Sequence, residues 1–197
     1  MTRVLVLFDF DGTLTTRDSL SDFILYSKGF IETLLGGIYL SPLLLGYGCK
    51  IISNDWAKQQ VLRYFFGGCS LVEVEVIGQK YAKVRIPLIL RNKGLDKIQW
   101  HVKQGHRVVI VSASVDLWLK GWVDEIGVEL IATQLEVKEG FLTGAFRSKN
   151  CHGEEKVLRI KSYLNLNDYQ TIYAYGDTSG DKPMLDLANY SEYRPFR

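Results

Sequence analysis

At 197 residues the chain can bury a core of its own, and it fits one domain of ordinary size or one domain with a modest insertion. Its 47% hydrophobic and 23% charged residues, with only four prolines, are typical of a folded globular protein without a long disordered linker. The formal charge of +2 arises without a long basic run, which argues against a nucleic-acid-binding protein.

Two apolar runs predict the first strands. Val4–Phe8 has no polar alternation, which is typical of a strand buried on both faces of a parallel sheet. A second run, Val108–Val111, follows a helical pattern that ends at Gln104–His106, where Gly105 can close the helix. Both runs are therefore predicted to be strands of one parallel sheet.

Helices and strands alternate in the remainder of the chain. We predict a helix over Asp116–Ile126 capped by Ser114, a strand over Val128–Gln134, a hairpin turn at Lys138–Gly140, a helix over Glu154–Leu164, a strand over Thr171–Tyr175, a short helix over Asp181–Ala188 and a last short strand that includes Tyr193. Pro183 fits the first turn of the short helix, where proline is tolerated.

This alternation predicts an α/β fold with a doubly wound, mainly parallel sheet, whose ligand site lies at the carboxyl ends of the strands. Between the first strand and the helix near Leu95, about seventy-five residues have helical patterning, far more than a crossover normally uses. We interpret them as an inserted α-helical cap. The expected division is a core of residues 1–16 and 88–197 and a cap of residues 17–87.

Two carboxylates follow the first strand. Asp9 and Asp11 lie two residues apart, so that both side chains project from one side of the chain, and Gly12 permits a sharp turn that exposes them. A polar strand end followed by an Asp-Gly turn would give the same pattern in many α/β proteins. The pair alone is therefore suggestive rather than decisive.

Polar groups also follow the other predicted strands. Ser112 ends the second strand, Lys156 lies near the start of a helix, and Asp177 and Asp181 follow the third strand. Each has an ordinary structural explanation, as a turn or cap residue or as part of a solvated helix start. Together, however, they supply a nucleophile, a proton donor, a hydroxyl, a cation and a set of metal ligands at one edge of the sheet. A catalytic site explains this combination better than coincidence does.

The segments that carry these groups are similar to the four ordered motifs of the haloacid dehalogenase superfamily. They are Asp9–Thr15, Val111–Ser114, Cys151–Lys156 and Gly176–Leu185. They resemble in particular the phosphoserine-phosphatase-like branch, which carries a helical cap after the first motif. Within the superfamily the second aspartate, here Asp11, is kept by phosphatases and phosphomutases, so the resemblance implies phosphoryl transfer.

The resemblance also implies roles for the site residues. Mg²⁺ would be held by Asp9, the backbone carbonyl of Asp11 and Asp177, while Asp181 would orient Lys156 or a metal-bound water. Asp9 would attack phosphorus and form a phospho-aspartate, and Asp11 would act as acid and then as base.

The substrate phosphate would be bound by Ser112, Ala113 and Lys156. Two alternatives to a phosphatase stay open: a catalytically idle scaffold that binds a phosphorylated ligand, and a phosphomutase or phosphotransferase.

The substrate is expected to be a small phosphorylated metabolite or a lipid phosphate. Asp18 lies where phosphoserine phosphatases have a substrate-binding carboxylate, and it would equally serve as a helix cap. An ungapped comparison places Gln60, with Arg63 nearby, where those enzymes have a cap arginine, which argues against phosphoserine itself. The segments Val61–Ser70 and Gly153–Val157 instead resemble C-type phosphatidylglycerophosphate phosphatases of bacteria.

Trp118 and Trp122, four residues apart, could form a lipid-facing patch, but packing against the sheet is the favoured interpretation.

Seventeen residues from Thr33 to Cys49 carry no charge, which approaches the length of a membrane-spanning helix. A single crossing would separate Asp9 from the other motif residues, so it is excluded. The two remaining interpretations are a hairpin broken near Gly36–Gly37 or Ser41–Pro42 that dips into one leaflet, and two short helices packed inside a soluble cap. We favour the soluble cap, with reversible membrane contact as the alternative.

Cysteine usage indicates the compartment. Cys49, Cys69 and Cys151 are odd in number, far apart and outside any C-x-x-C pair, which fits neither a disulfide framework nor a zinc site. The first apolar run, Val4–Phe8, is too short for the core of a signal peptide. These features predict a cytoplasmic protein, or a peripheral one at the inner face of the membrane.

Overall fold

The computed structural model describes residues 3–197. Along the chain it contains β1 Val4–Phe8, α1 Ser19–Tyr39, α2 Ser41–Gly48, α3 Asn54–Phe66, α4 Leu71–Val84, α5 Ile86–Ile89, α6 Asn92–Lys103, β2 Arg107–Val115, α7 Asp116–Ile126, β3 Glu129–Thr133, β4 Leu135–Lys138, β5 Phe141–Phe146, α8 Glu154–Tyr163, β6 Thr171–Gly176, α9 Lys182–Leu185 and β7 Tyr190–Tyr193. Short 3₁₀ turns lie at Leu166–Asp168 and Ser179–Asp181.

Five strands form one sheet in the order β3-β2-β1-β6-β7, and every neighbouring pair is parallel. The predicted α/β fold with a parallel sheet is confirmed. The uninterrupted apolar character of β1 follows from its central position, because both faces are covered. Val6 and Phe8 pack in a core with α6 and α7, whereas Leu5 and Leu7 pack on the opposite side with α8 and α9.

Turn and packing predictions made from the sequence are also confirmed. Gly105, just beyond α6, has a positive φ of 73°. The β4–β5 hairpin turns at Glu139 and Gly140, which both have positive φ, as a tight two-residue hairpin requires. Trp118 and Trp122 are buried in the core rather than lipid-facing.

The predictions for the end of β2 are wrong in two respects. The strand does not end at Ser112 but continues to Val115, although its register with β3 shifts between these two residues. Ser114 does not cap α7, because Val115 occupies the cap position and makes no side-chain cap bond. The Ser114 hydroxyl instead donates to Asp11, as described below. The Asp11 carboxylate is a stronger hydrogen-bond acceptor than the local turn offers, so it accepts from this hydroxyl.

Helices α1 to α5 occupy the chain between β1 and α6. Helix α4 packs closely on α7 because glycines stand at the contact. A Cβ on Gly78 would lie 2.2 Å from the Leu117 carbonyl oxygen, and one on Gly121 would lie 3.0 Å from the Ala82 side chain. This close packing joins the inserted helices to the sheet-bearing part of the protein.

The uncharged segment Thr33–Cys49 forms the last third of α1 and the whole of α2. The helices bend by 62° at the break next to Ser41–Pro42, one of the two predicted positions, and Gly29 kinks α1 earlier with a φ of 77°. Within residues 3–197, no single helix is long and apolar enough to cross a membrane, but this bent pair passes that test of length and composition together.

The favoured expectation that the pair is packed inside the cap is wrong. Helix α2 has no buried residue, and most apolar side chains in the second half of α1 are exposed.

Candidate active site

Six of the eight predicted site residues line a cavity of about 680 Å³ at the carboxyl ends of the sheet strands, whereas Ser112 and Asp177 are not among its lining residues. Its floor includes Asp9 after β1, Ala113 in the last residues of β2, and Asp181 after β6, with Lys156 from α8. Helices α1, α2 and α3 form a large part of the remaining wall, and Asn150, His152 and Thr178 also line the cavity. The location agrees with the rule that ligands bind outside the carboxyl ends of parallel strands.

Lys156 is the buried cation of the floor. Its ammonium lies 2.6 Å from Asp9 Oδ1 and 2.6 Å from Asp181 Oδ1, and it donates a third hydrogen bond of 2.8 Å to the Val111 carbonyl. Burial lowers the pKa of Lys156, but the two carboxylates more than offset this effect and hold the pKa above its ordinary value. The lysine is therefore permanently positively charged, and each of its three ammonium protons is donated in a hydrogen bond.

Asp9 is buried between Lys156 and Thr13. The Thr13 hydroxyl donates to Asp9 Oδ2 at 2.8 Å and lies 3.2 Å from Asp177 Oδ1, so it links the two carboxylates. Burial raises the pKa of Asp9 to about 6, although Lys156 acts in the opposite direction. At neutral pH Asp9 is thus mainly ionised and held in one orientation, as a nucleophile must be.

Asp11 has a different environment. The Ser19 backbone N–H donates to its Oδ1 at 2.7 Å, and its Oδ2 accepts from the hydroxyls of Ser114 at 2.5 Å and Ser19 at 3.1 Å. Burial raises the pKa of Asp11 to about 7, and the nearby charge of Asp18 adds to this. A carboxyl that titrates near neutral pH can both give and take a proton.

Three buried carboxylates, those of Asp9, Asp177 and Asp181, place an oxygen each within 4.8 Å of one another. Gly12 allows this approach, since its φ is 79° and a Cβ there would lie 2.6 Å from Asp177 Oδ2. Asp177 Oδ2 also contacts the Arg197 guanidinium. The three negative charges and purely oxygen donors suit Mg²⁺. The carboxylate of Asp11 is not one of the three.

Asp181 is fixed by its own turn. The Thr178 backbone N–H and hydroxyl donate to its Oδ2 at 2.9 and 2.8 Å, and the Asp177 N–H does so at 3.2 Å. Burial would raise the pKa of Asp181, but Lys156 and these donors outweigh it and hold the pKa below its ordinary value. Asp181 is therefore a stable anion next to Lys156.

Ser112 and Ala113 lie at the end of the regular pairing of β2 with β3. Ser112 is buried, and its hydroxyl accepts from the Ser114 backbone N–H at 3.0 Å. Ala113 lines the cavity, and its carbonyl accepts from Lys58 and Thr133, each at 2.6 Å. The structure thus places Ala113 in the floor of the cavity and Ser112 next to it in the chain.

Asp18 caps a helix and also lies at the cavity, so both interpretations considered from the sequence fit its position. Its Oδ1 accepts from the backbone N–H and the hydroxyl of Ser21, each at 2.8 Å, so it caps α1. It also lines the cavity, as Ser21 does. Neither Gln60 nor Arg63 is among the cavity-lining residues.

Lys58 is a cavity cation that the sequence analysis missed. Besides its bond to Ala113, its ammonium lies 3.5 Å from Asn150 Oδ1. Burial lowers the pKa of Lys58, against the attraction of Asp11, Asp18 and Asp55. A signal does exist in the sequence, because the residues of α3 that line the cavity repeat with helical spacing: Asn54, Ala57, Lys58, Val61 and Phe65.

Comparisons with known proteins place this geometry among related folds. The sequence profile described as haloacid dehalogenase-like hydrolase matches residues 6–186. Protein CicA of Caulobacter vibrioides (strain NA1000 / CB15N) is 33% identical over 196 residues, which cover 98% of this chain and 87% of that protein.

Solved structures are similar over the same extent. A protein with unknown function from Bordetella pertussis Tohama I has a TM-score of 0.84 at 25% identity, with 97% of this chain and 89% of that chain covered. A substrate-bound phosphoserine phosphatase complex has a TM-score of 0.63 at 20% identity, with 98% and 86% covered, a likeness that concerns the fold.

Proposed function

We propose that this chain, which belongs to the haloacid dehalogenase-like hydrolase family, is a Mg²⁺-dependent phosphatase that forms a phospho-aspartate on Asp9. The profile match confirms the superfamily and the hydrolase class predicted from the motifs. The likeness to phosphoserine phosphatases agrees with the predicted branch. The metal, the intermediate and the residue roles belong to the proposal.

One observation supports the proposal most strongly: Asp9 and Asp11, two residues apart at the end of β1, have different hydrogen-bond partners. Asp9 is held by the Lys156 ammonium, which favours its ionised form. Asp11 is surrounded by hydroxyls and an N–H, no cation within residues 3–197 is bonded to it, and its pKa is raised to about 7. A carboxylate paired with a cation, next to a carboxyl bonded to neutral donors, suits separate nucleophile and acid/base roles.

In the proposed reaction an Asp9 carboxylate oxygen forms a bond to phosphorus as the bond to the leaving oxygen breaks. Asp11, protonated in this step, gives its proton to the leaving oxygen. It then takes a proton from water, which attacks phosphorus and frees Asp9 with release of phosphate.

Lys156 is positioned to offset the negative charge of the phosphate. We propose that Asp9, Asp177 and the backbone carbonyl of Asp11 hold Mg²⁺, with Asp181 fixing Lys156. The bound ion supplies further positive charge to the phosphate oxygens.

Other parts of the proposal concern the substrate and its setting. Ser112, Ala113 and Lys156 would bind the phosphate, and Asp18 and Lys58 would contact the rest of the substrate. Residues 17–87 would act as the cap over a core of residues 1–16 and 88–197. The substrate would be a phosphorylated metabolite or a lipid phosphate.

We propose a cytoplasmic location, supported by three cysteines that are all unpaired.

Phosphate release from p-nitrophenyl phosphate tests the proposal. We expect turnover with Mg²⁺ and its loss with EDTA, because the substrate and the nucleophile are both anionic and need the ion. Asp9→Asn is the matched control, since the amide keeps the shape without the nucleophilic charge. A folded protein that binds phosphate but never releases it from esters would instead be an idle scaffold.

A further inference from the structure

An exposed apolar surface lies next to the cavity. We define the α1–α2 face by six side chains that are between 50% and 72% exposed: Phe30, Ile31, Leu34, Ile38, Tyr39 and Leu45. Five of them lie on α1 at spacings of three, four and eight residues, so they form one continuous stripe. Single exposed apolar residues are ordinary, but a continuous stripe of this kind marks an interaction surface.

The same helices wall the cavity on their adjacent side. Thr33, Gly37, Leu40, Leu44 and Tyr47 line it and follow one another at spacings of three and four residues. The cavity is therefore polar at its floor, where Asp9 and Lys156 lie, and apolar where α1 and α2 form its wall. Such a cavity suits a substrate that has a phosphate at one end and an apolar body at the other.

The geometry excludes a membrane crossing through this segment. Asp9 precedes α1 and Lys156 follows α2, yet their side chains are 2.6 Å apart, so the chain enters and leaves the segment on one side. The bend of 62° between α1 and α2 also suits a shallow position in one leaflet. Because backbone hydrogen bonds are satisfied within each helix, contact with hydrocarbon leaves few polar groups without partners.

The chemistry of the face favours a lipid bilayer over a protein partner. From Thr33 to Cys49 there is no charge with which to specify a protein, and Lys50 follows this segment, where lysines meet lipid headgroups. At its other end Glu32 is exposed, and the Lys28 ammonium lies 5.3 Å from the centre of the Phe66 ring. Aromatic Phe30 and Tyr39 are of the type found at membrane interfaces. A bilayer can also deliver a substrate into the adjoining cavity, whereas a protein seated on the face would obstruct it.

We infer that the α1–α2 face docks on one leaflet of a lipid bilayer and that the cavity takes the phosphate monoester headgroup of a membrane lipid. The apolar body of the lipid lies along the wall formed by Leu40, Leu44 and Tyr47. The substrate part of this inference rests on the phosphatase activity proposed above, but the docking part does not.

Vesicle flotation of the full chain tests the docking. The probes are vesicles of phosphatidylcholine and phosphatidylglycerol. The variant Ile31→Ser/Ile38→Ser/Leu45→Ser removes three exposed side chains that do not line the cavity. The matched control is Val72→Ser/Leu88→Ser/Leu158→Ser. It removes three apolar side chains on α4, α5 and α8 that are 58% to 71% exposed. Circular dichroism establishes that both variants are folded.

We expect the unmodified chain and the control to float with vesicles. The α1–α2 variant should lose at least about tenfold in binding, because three exposed apolar side chains that would enter the lipid are removed. Absence of flotation by the unmodified chain would overturn the docking. So would a dimer in solution that only the α1–α2 variant abolishes, because a second copy of the chain would then cover the face.

Phosphate release separates this inference from the proposed function. On vesicles that contain phosphatidic acid, the α1–α2 variant should lose roughly tenfold in rate, while its turnover of p-nitrophenyl phosphate stays within about twofold. Turnover of p-nitrophenyl phosphate without flotation would overturn the docking alone. Flotation without any turnover would overturn the phosphatase and leave the docking. Equal loss of both activities would show damage to the site and overturn the interfacial role.

Discussion

The floor of the cavity and the α1–α2 face differ in the polarity and the burial of their side chains. In the floor, buried charges are each held by several partners: Lys156 makes three hydrogen bonds and Asp181 Oδ2 accepts three more. In the face, the apolar side chains are between 50% and 72% exposed. A rigid polar floor determines which chemistry is possible, whereas an unpartnered apolar surface determines where the protein meets its substrate. Reaction and substrate access can therefore be changed separately.

The largest effect is expected at the nucleophile. Asp9→Asn should abolish turnover, because the amide oxygen cannot form the phospho-aspartate. The fold and vesicle flotation should persist, since the amide side chain would keep the shape of the carboxylate and its bond with Thr13. Phosphate release and flotation are measured on one preparation. Turnover at the ordinary rate would mean that the nucleophile lies elsewhere.

A smaller loss is expected at the acid/base residue. Asp11→Asn should lower kcat by roughly two to four orders of magnitude, the usual range for positioned acid/base catalysis. Its backbone carbonyl is unchanged, so the Mg²⁺ concentration that gives half-maximal activity should stay within about threefold. Steady-state kinetics at varied Mg²⁺ measure both quantities. If kcat fell only twofold, Asp11 would not carry the proton.

Lys58 lies between the two regions and should affect binding more than chemistry. Lys58→Gln should raise KM roughly tenfold for substrates with a second anionic group, since one charge-assisted hydrogen bond is removed. Substrates without such a group, for example p-nitrophenyl phosphate, should show little change in KM. Comparison of KM and kcat for a matched pair of substrates measures this. A large fall in kcat for both substrates would place Lys58 in the chemical step.

The smallest effect concerns a buried polar cluster outside both regions. His101 bonds His106 at 2.8 Å and the Tyr175 hydroxyl at 3.0 Å. Burial, followed by the charges of His106 and Lys97, lowers the pKa of His101 from 6.5 to about 4. As the pH falls, His101 of the unfolded chain therefore takes up a proton at a higher pH than His101 of the folded chain does. The stability associated with neutral His101 is present above pH 6.5 and is lost as the pH falls to about 4.

Urea unfolding between neutral pH and about pH 5 measures this contribution. The free energy of unfolding should fall by at most about 1 kcal/mol per pH unit from His101, and His101→Gln should reduce that slope. Flotation and turnover at neutral pH should hardly change. An unchanged slope in the variant would assign the acid sensitivity to other groups.

The sequence predicts the floor better than the face, for physical reasons. Strands covered on both sides must be apolar throughout, as Val4–Phe8 is, and motif residues at strand ends must meet because parallel strands end together. The partners of Ser114 and the position of Lys58 depend on how helices pack over the sheet, which local patterns do not specify. Hydropathy likewise cannot distinguish a buried apolar helix from an exposed one, and the preference for a packed α1–α2 pair was wrong for that reason.

The most direct test of the central claim is a crystal structure of the protein with Mg²⁺ and beryllium fluoride, which mimics an acyl phosphate. We predict that beryllium is bonded to an Asp9 carboxylate oxygen, that Lys156 contacts the fluorides, and that Mg²⁺ lies between Asp9 and Asp177. Beryllium fluoride bound away from Asp9, or bound without Mg²⁺, would contradict the phospho-aspartate mechanism.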